Sequence, residues 1–222
     1  MDASIRSRLS RGERMEQTLD AAHGLFAERG YAAVTMEEIA VAVGVTKPLL
    51  YTYFGNKERL YIACMERAGD ALTETVAQAV AATASPGDAL GAGVGAFFSF
   101  LDSDRAAWAV LFDETLPVQG EVAERVGDYR ARILRFVASS IRAQLPEARR
   151  EAAETEIEAL SAALLGAAEA LARWWLRTEA LSAGEAAELL ISTVEPGLRA
   201  RSGAAPAPNP TSKSTGKGTT QK

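Results

Sequence analysis

Thr35–Leu60, TMEEIAVAVGVTKPLLYTYFGNKERL, is the stretch that decides the fold. Thr35 with Glu38 three residues on matches a reciprocal cap, in which hydroxyl and carboxylate each satisfy a free backbone N–H at a helix start. The helix it opens reaches only to about Val43, because Gly44 supplies the positive φ of a tight turn and Val45 re-enters the core. Another helix begins at Thr46, with Pro48 in its first turn, where a missing N–H costs little and a fixed φ favours the helix. After Phe54 and Gly55, Asn56 caps a fourth helix that starts near Lys57 and runs to about Ala82. Two short helices joined by such a turn form a helix-turn-helix, whose second helix, here residues 46–53, lies in the DNA major groove.

Ile39, Ala40, Val43, Val45, Leu50 and Phe54 have the spacing to hold the two helices together, which leaves Lys47, Pro48, Leu49, Tyr51, Thr52 and Tyr53 facing outward. Tyrosine and lysine bind phosphate oxygens readily. Lys57 and the helix N-terminus beside it add a second phosphate contact. Base reading falls to Lys47 through its ammonium and to Pro48 and Leu49 through apolar contact with thymine methyl groups.

Moving outward, a first helix is expected from about Ser10 to Arg29, with Met15, Leu19, Ala22 and Phe26 as one stripe and Gly30 as its stop. Ser85-Pro86-Gly87-Asp88 ends the fourth helix. Further helices are expected over about 88–101, 105–113, 119–144, 150–178 and 184–200, divided by Pro117, Pro146 and Gly184. Alternating strand patterns are absent, so the chain reads as all-α. The expected division is a flexible basic arm at 1–9, a helix-turn-helix domain at 10–56, a helical ligand-binding and dimerisation domain at 57–200 and a disordered tail at 201–222. That tail holds no large apolar residue. Arg6, Arg8, Arg11 and Arg14 suit a minor groove and a solvated surface equally.

The chain has 222 residues, is 48% hydrophobic and carries a net charge of -5. The acid is unevenly placed: residues 1–60 balance, 61–198 carry -10 and 199–222 carry +5, which confines any DNA contact to the N-terminal part. One cysteine, Cys64, permits no internal disulfide. The first residues lack the apolar run of a secretory signal, and the apolar stretch from Ala159 to Ala168 falls short of the roughly 20 residues that span a bilayer. A cytoplasmic protein without membrane contact is expected. His23 has no second His or Cys near it and Cys64 reads as a packed hydrophobe, so no metal, cofactor or catalytic set is expected. Gly91, Gly93 and Gly95 follow no strand and do not form a phosphate loop.

The segment 35–60, with Phe26-Ala27-Glu28-Arg29-Gly30-Tyr31 before it, closely resembles the signature of the TetR family of transcriptional regulators. The resemblance covers roughly residues 11–60; the rest matches in length and helical character. It implies a three-helix DNA-binding head, a connecting fourth helix and a C-terminal domain for ligand and dimerisation. It places DNA contacts on Thr35, Thr46, Lys47, Pro48, Leu49, Tyr51, Tyr53 and Lys57. Val43 stands where alanine is usual and Leu49 where a small or hydroxyl residue is frequent, so no relative lends its operator sequence.

Aromatic residues gather after Pro86, and aromatics at helical spacing build either core or pocket. The family resemblance implies a cavity among the middle helices, with Phe98, Trp108, Phe112, Tyr129 and Trp174 as candidates and an apolar or aromatic ligand to suit them. It also implies that the last two helices pair with those of a second copy. Leu160, Leu164, Leu171, Leu190 and Val194 are the candidate contacts, and intrachain core is the competing account. The expected partners are double-stranded operator DNA, a second copy of the chain and a small-molecule effector. The implied action is repression at a palindromic operator with recognition helices about 34–36 Å apart, released when a ligand favours a different spacing. A ligand-independent regulator, an activator and a helical interaction module are the alternatives.

Overall fold

In the computed structural model, which describes residues 10–150 and 153–202, the chain forms ten α-helices and one 3-10 turn, with no strand among the described residues. Residues 1–9, with Arg6 and Arg8, and residues 203–222 of the expected tail lie outside the described residues.

Helix α1 (Arg11–Ala33) opens on a reciprocal cap between Ser10 and Glu13. Its backbone leaves the helical conformation at Gly30, φ 74° and ψ 161°, the position expected as its stop. Helix α2 (Met36–Val43) opens on the Thr35–Glu38 cap. Gly44 is left-handed, and Val45 N–H donates to the Ala40 carbonyl at 3.0 Å, an arrangement that satisfies the free carbonyls of the last turn. Helix α3 (Lys47–Phe54) follows with Pro48 in its first turn, although the Thr46 hydroxyl makes no cap bond. Asn56 caps α4 (Lys57–Ala81) by accepting from Arg59 N–H at 2.8 Å.

Beyond the Pro86–Asp88 turn come α5 (Ala89–Ser103), α6 (Arg105–Leu111), α7 (Glu121–Gln144), α8 (Glu147–Arg150), α9 (Glu154–Thr178) and α10 (Ala183–Ser202). The single helix expected over 150–178 is thus preceded by a separate turn, α8, after Pro146. Helix α10 continues past Pro196, which stands on an exposed side of the helix with Ser192, so the carbonyl it deprives of a donor is in reach of water.

One hydrophobic cluster includes Phe26, Ile39 and Leu50 of the first three helices, Leu60, Tyr61 and Met65 of α4, Val110 of α6 and Tyr129 of α7. A second joins α5, α9 and α10 around Phe98, Leu101, Leu164 and Trp175. Polar bonds reinforce the first seam. Tyr31 and Ala32 donate their N–H groups to Asp113 Oδ2 at 2.5 Å and Thr115 Oγ1 at 3.2 Å, and Tyr61 donates its hydroxyl to the Val110 carbonyl at 2.5 Å. Gly30 is required twice over, since a Cβ there would stand 3.0 Å from Thr115 Oγ1 in addition to meeting the positive φ.

Cys64 is buried beside the Leu19 carbonyl, and burial pushes its thiol up to about 12. His23 lies 3.9 Å from Asp104 with neither ring nitrogen hydrogen-bonded, and burial holds its pKa below the ordinary value.

Candidate nucleic-acid interface and apolar cavity

The helix-turn-helix packs as its spacing demands: Ile39, Ala40, Leu50 and Phe54 are buried, and Val43 and Val45 are half-buried. That packing turns Thr46, Lys47, Pro48, Tyr51 and Thr52 to solvent and leaves Leu49 and Tyr53 half-buried. Lys47 Nζ is 3.5 Å from Glu37 Oε2 in an exposed pair, weak enough to yield to a phosphate or base. Thr52 donates its hydroxyl to the Pro48 carbonyl at 2.9 Å. The Tyr53 ring lies under the Arg11 guanidinium, 5.6 Å from its centroid, which brings one arginine of the N-terminal basic set to the same face.

Thr35 and Lys57 are partly committed elsewhere. The Thr35 hydroxyl donates to Glu38 Oε2 at 2.8 Å and accepts from Glu38 N–H, while Arg29 Nη1 meets Glu38 Oε1 at 2.8 Å. The Thr35 hydrogen bonds, with Arg29 second, hold the Glu38 carboxyl down to about 2. Lys57 Nζ stands 4.3 Å above the Tyr31 ring and 3.5 Å from the Ala32 carbonyl, and partial burial lowers its pKa.

A cavity of about 110 Å³, open to solvent at its mouth, lies between α4, α5, α7 and α9, with Phe112 at the end of α6 completing its wall. Fifteen of its seventeen lining residues are apolar, the exceptions being Thr73 and Ser140. Of the five aromatic residues expected to line a pocket, Phe112 does so. Trp108 stacks on Phe112 at 4.0 Å between ring centroids. Phe98 is fully buried with its edge against Trp175, Tyr129 donates to the Gly69 carbonyl at 3.0 Å, and Trp174 is 39% exposed on the outer side of α9. The cavity takes Phe97 and Phe136 instead. Phe97 lies one turn from Gly93, and Phe98, one residue on, points elsewhere. The spacing of Leu72, Val76 and Val80 along α4 was the available signal for the cavity.

The candidate dimer contacts are likewise divided. Leu164 and Leu190 are buried in the chain's own second cluster, Leu171 and Val194 pack against it, and Leu160 packs against a third cluster around Ile157. The outward faces of the same helices expose Ala159, Ala162, Ala163, Gly166, Ala170 and Trp174 on α9, and Leu189 on α10. A buried carboxylate, Glu169, is held by Arg130 at 2.6 Å. Among the described residues no group of His, Cys, Asp or Glu could hold a metal ion, and no helix is long and apolar enough to cross a membrane.

Comparison with known proteins adds to this geometry. The family profile described as bacterial regulatory proteins, tetR family, matches residues 19–64, and a tetracyclin repressor-like C-terminal domain profile matches residues 86–195. The HTH-type transcriptional activator FasR of Mycolicibacterium smegmatis is 40% identical over 120 residues, 54% of this chain and 55% of that protein. The chain matches little more than half the length of curated relatives such as this one. The crystal structure of a TetR-like transcriptional regulator from Rhodococcus sp. RHA1 is 31% identical with a TM-score of 0.70, covering 86% of this chain and 98% of that one. The transcriptional regulator FadR from Bacillus subtilis, solved in complex with stearoyl-CoA, shares the fold at 18% identity and a TM-score of 0.70, covering 82% and 98%.

Proposed function

Since the chain belongs to the TetR family of bacterial regulatory proteins, we propose that it is a transcriptional regulator that binds operator DNA through α3 as a homodimer and leaves it when an aliphatic effector fills the cavity. The observation that carries this reading is helix α4. Two residues separate its start from α3, and it ends in the cavity wall with Val76 and Val80, so one helix runs from the helix-turn-helix to the cavity.

Thr46, Lys47, Pro48, Leu49, Tyr51, Thr52 and Tyr53 of the α3 segment, with Thr35 and Lys57 at its flanks, are the residues assigned to DNA. The head spans 10–56 and the effector and dimer domain 57–200. The second copy docks on the exposed small-residue face of α9 together with Leu189 of α10, a face that lets helices approach closely. An apolar cavity without a charged lining residue suits a hydrocarbon chain, and the stearoyl-CoA of FadR supports an acyl thioester as the class.

Fluorescence anisotropy with the DNA flanking its gene, at two salt concentrations and with or without a long-chain acyl-CoA, tests the reading. Tight, sequence-selective binding that weakens steeply with salt and is lost on adding the acyl-CoA is expected. Absence of binding at low salt overturns it. The activator FasR favours a second reading, in which the bound protein recruits rather than blocks transcription. In vitro transcription from the bound promoter separates the two by sign.

A further inference from the structure

The break in α1 at Gly30 leaves Tyr31, Ala32 and Ala33 as a short turn of their own. A turn that starts afresh exposes its first N–H groups. Elsewhere in the head a side chain just upstream accepts from such groups, as Ser10 does for α1 and Thr35 for α2. Gly30 has no side chain to offer. The acceptors come instead from the α6–α7 loop: Tyr31 N–H donates to Asp113 Oδ2 at 2.5 Å and Ala32 N–H to Thr115 Oγ1 at 3.2 Å. Asp113 Oδ1 in turn accepts from the Thr115 N–H and hydroxyl, both at 2.7 Å, so the two acceptors are held as one unit.

That unit has the cavity on one side and the DNA-binding head on the other. Phe112, next to Asp113 in the chain, lines the cavity. On the other side, Thr35 opens α2 two residues beyond the capped turn, and Lys57 holds its ammonium 3.5 Å from the Ala32 carbonyl and 4.3 Å from the Tyr31 ring centroid. A cavity of about 110 Å³ is smaller than the roughly 300–1,000 Å³ of small-molecule sites, so a chain that enters has to push a wall outward. The other walls are stretches of helices of 15 to 25 residues. Phe112 stands past the last turn of the seven-residue α6, at φ -125° and ψ 32°, and is the wall held by the least structure.

We propose that Asp113 is the positioning residue through which the cavity acts on the DNA face. It caps the Tyr31–Ala33 turn as long as Phe112 keeps its place, and an aliphatic chain that displaces Phe112 draws Asp113 and Thr115 off that turn and lowers operator affinity. This rests on the cavity being the effector site. Asp113 does not line the cavity, so removing its carboxylate breaks the link without removing the ligand's contacts.

The test compares full-length wild type, Asp113→Ala and Thr115→Ala. Operator affinity is read by anisotropy on the DNA flanking its gene, with and without saturating stearoyl-CoA or dodecanol, and ligand affinity by titration without DNA. In wild type the ligand weakens operator binding by a coupling factor of about 5–150-fold. Asp113→Ala binds operator weakly from the outset, binds the ligand at least as tightly as wild type, and loses no further operator affinity when the ligand is added. Thr115→Ala keeps the carboxylate on Tyr31 and falls between the two. A merely structural role for the cap weakens operator binding but leaves the release factor at its wild-type value. That result in Asp113→Ala, or in Thr115→Ala should the first variant not fold, overturns the proposal and leaves the effector reading standing. Loss of ligand affinity in Asp113→Ala overturns it as well. Release of wild type by dodecanol alone removes the thioester reading, and the same comparison made with the alcohol decides the role of Asp113. Release of wild type by neither probe overturns both.

Discussion

The head and the cavity-bearing domain are both helical and both use side-chain caps, from Ser10 and Thr35 in the head and from Asn56, Asp104 and Ser182 beyond it, yet their interiors differ. The head fills its interior, with Ile39 and Leu50 fully buried, whereas the other domain is built around empty space. Contacts to base edges and phosphates are directional, so the surface that makes them has to be held in place. Burial of hydrocarbon is non-directional and scales with area, so walls that hold a chain need only surround it.

The sharpest way to break this contrast is to delete methylenes on each side of it. Leu50→Ala, at the centre of the filled head, is expected to cost about 2–5 kcal/mol in denaturant unfolding and to abolish operator binding. Leu165→Ala, on the cavity wall, is expected to cost clearly less, because the space beside it is already empty. Equal losses would refute the contrast. Gly30→Ala places a side chain at φ 74° and against Thr115, and is expected to lose about 1–3 kcal/mol while weakening operator binding through the Tyr31 and Ala32 bonds to the α6–α7 loop.

On the DNA face, Lys47→Ala is expected to cost about 1–3 kcal/mol and relax selectivity, while Lys57→Ala weakens all sequences alike and lowers the salt slope by about 1. Anisotropy titrations on operator and scrambled DNA distinguish them. The smallest effect concerns the α2 cap. Thr35→Ala is expected to cost about 1 kcal/mol at neutral pH. Because Glu38 is held down to about 2 from 4.5 in the fold, its contribution is complete above the unfolded value and fades as pH falls from 4.5 towards 2. Urea unfolding of wild type and Glu38→Gln at pH 7 and pH 3 should therefore differ more at pH 7.

The same division explains what the sequence disclosed. Caps, the Gly44 turn and the Pro48 start are local signals, each written in a few adjacent residues, and they placed α2, α3 and α4 within a residue of their observed ends. The cavity has no such local signature. Whether Phe97 or Phe98 faces it depends on a rotation of about 100° per residue in helical phase, which only the packing of α5 against α4, α9 and α10 settles. Gly93 was legible as a glycine in a helix and not as a point of close approach between α4 and α5, because its meaning lies in Val76 and Val80 on the facing helix. Leu164 and Leu190 carried the right apolar spacing for two burial partners at once, and the fold of the single chain already covers them.

Because the first hydrophobic cluster runs from Leu50 beneath α3, through Tyr61 of α4, to Tyr129 of α7, no seam lets the head melt by itself. Heat should meet one cooperative unit there, and calorimetry should register one transition for it. Amide protons beneath the recognition helix then exchange through the same opening that frees α4. Occupying the cavity, many side chains away, slows that exchange in proportion to ligand saturation, which turns the head's own protons into a gauge of what the distant cavity holds.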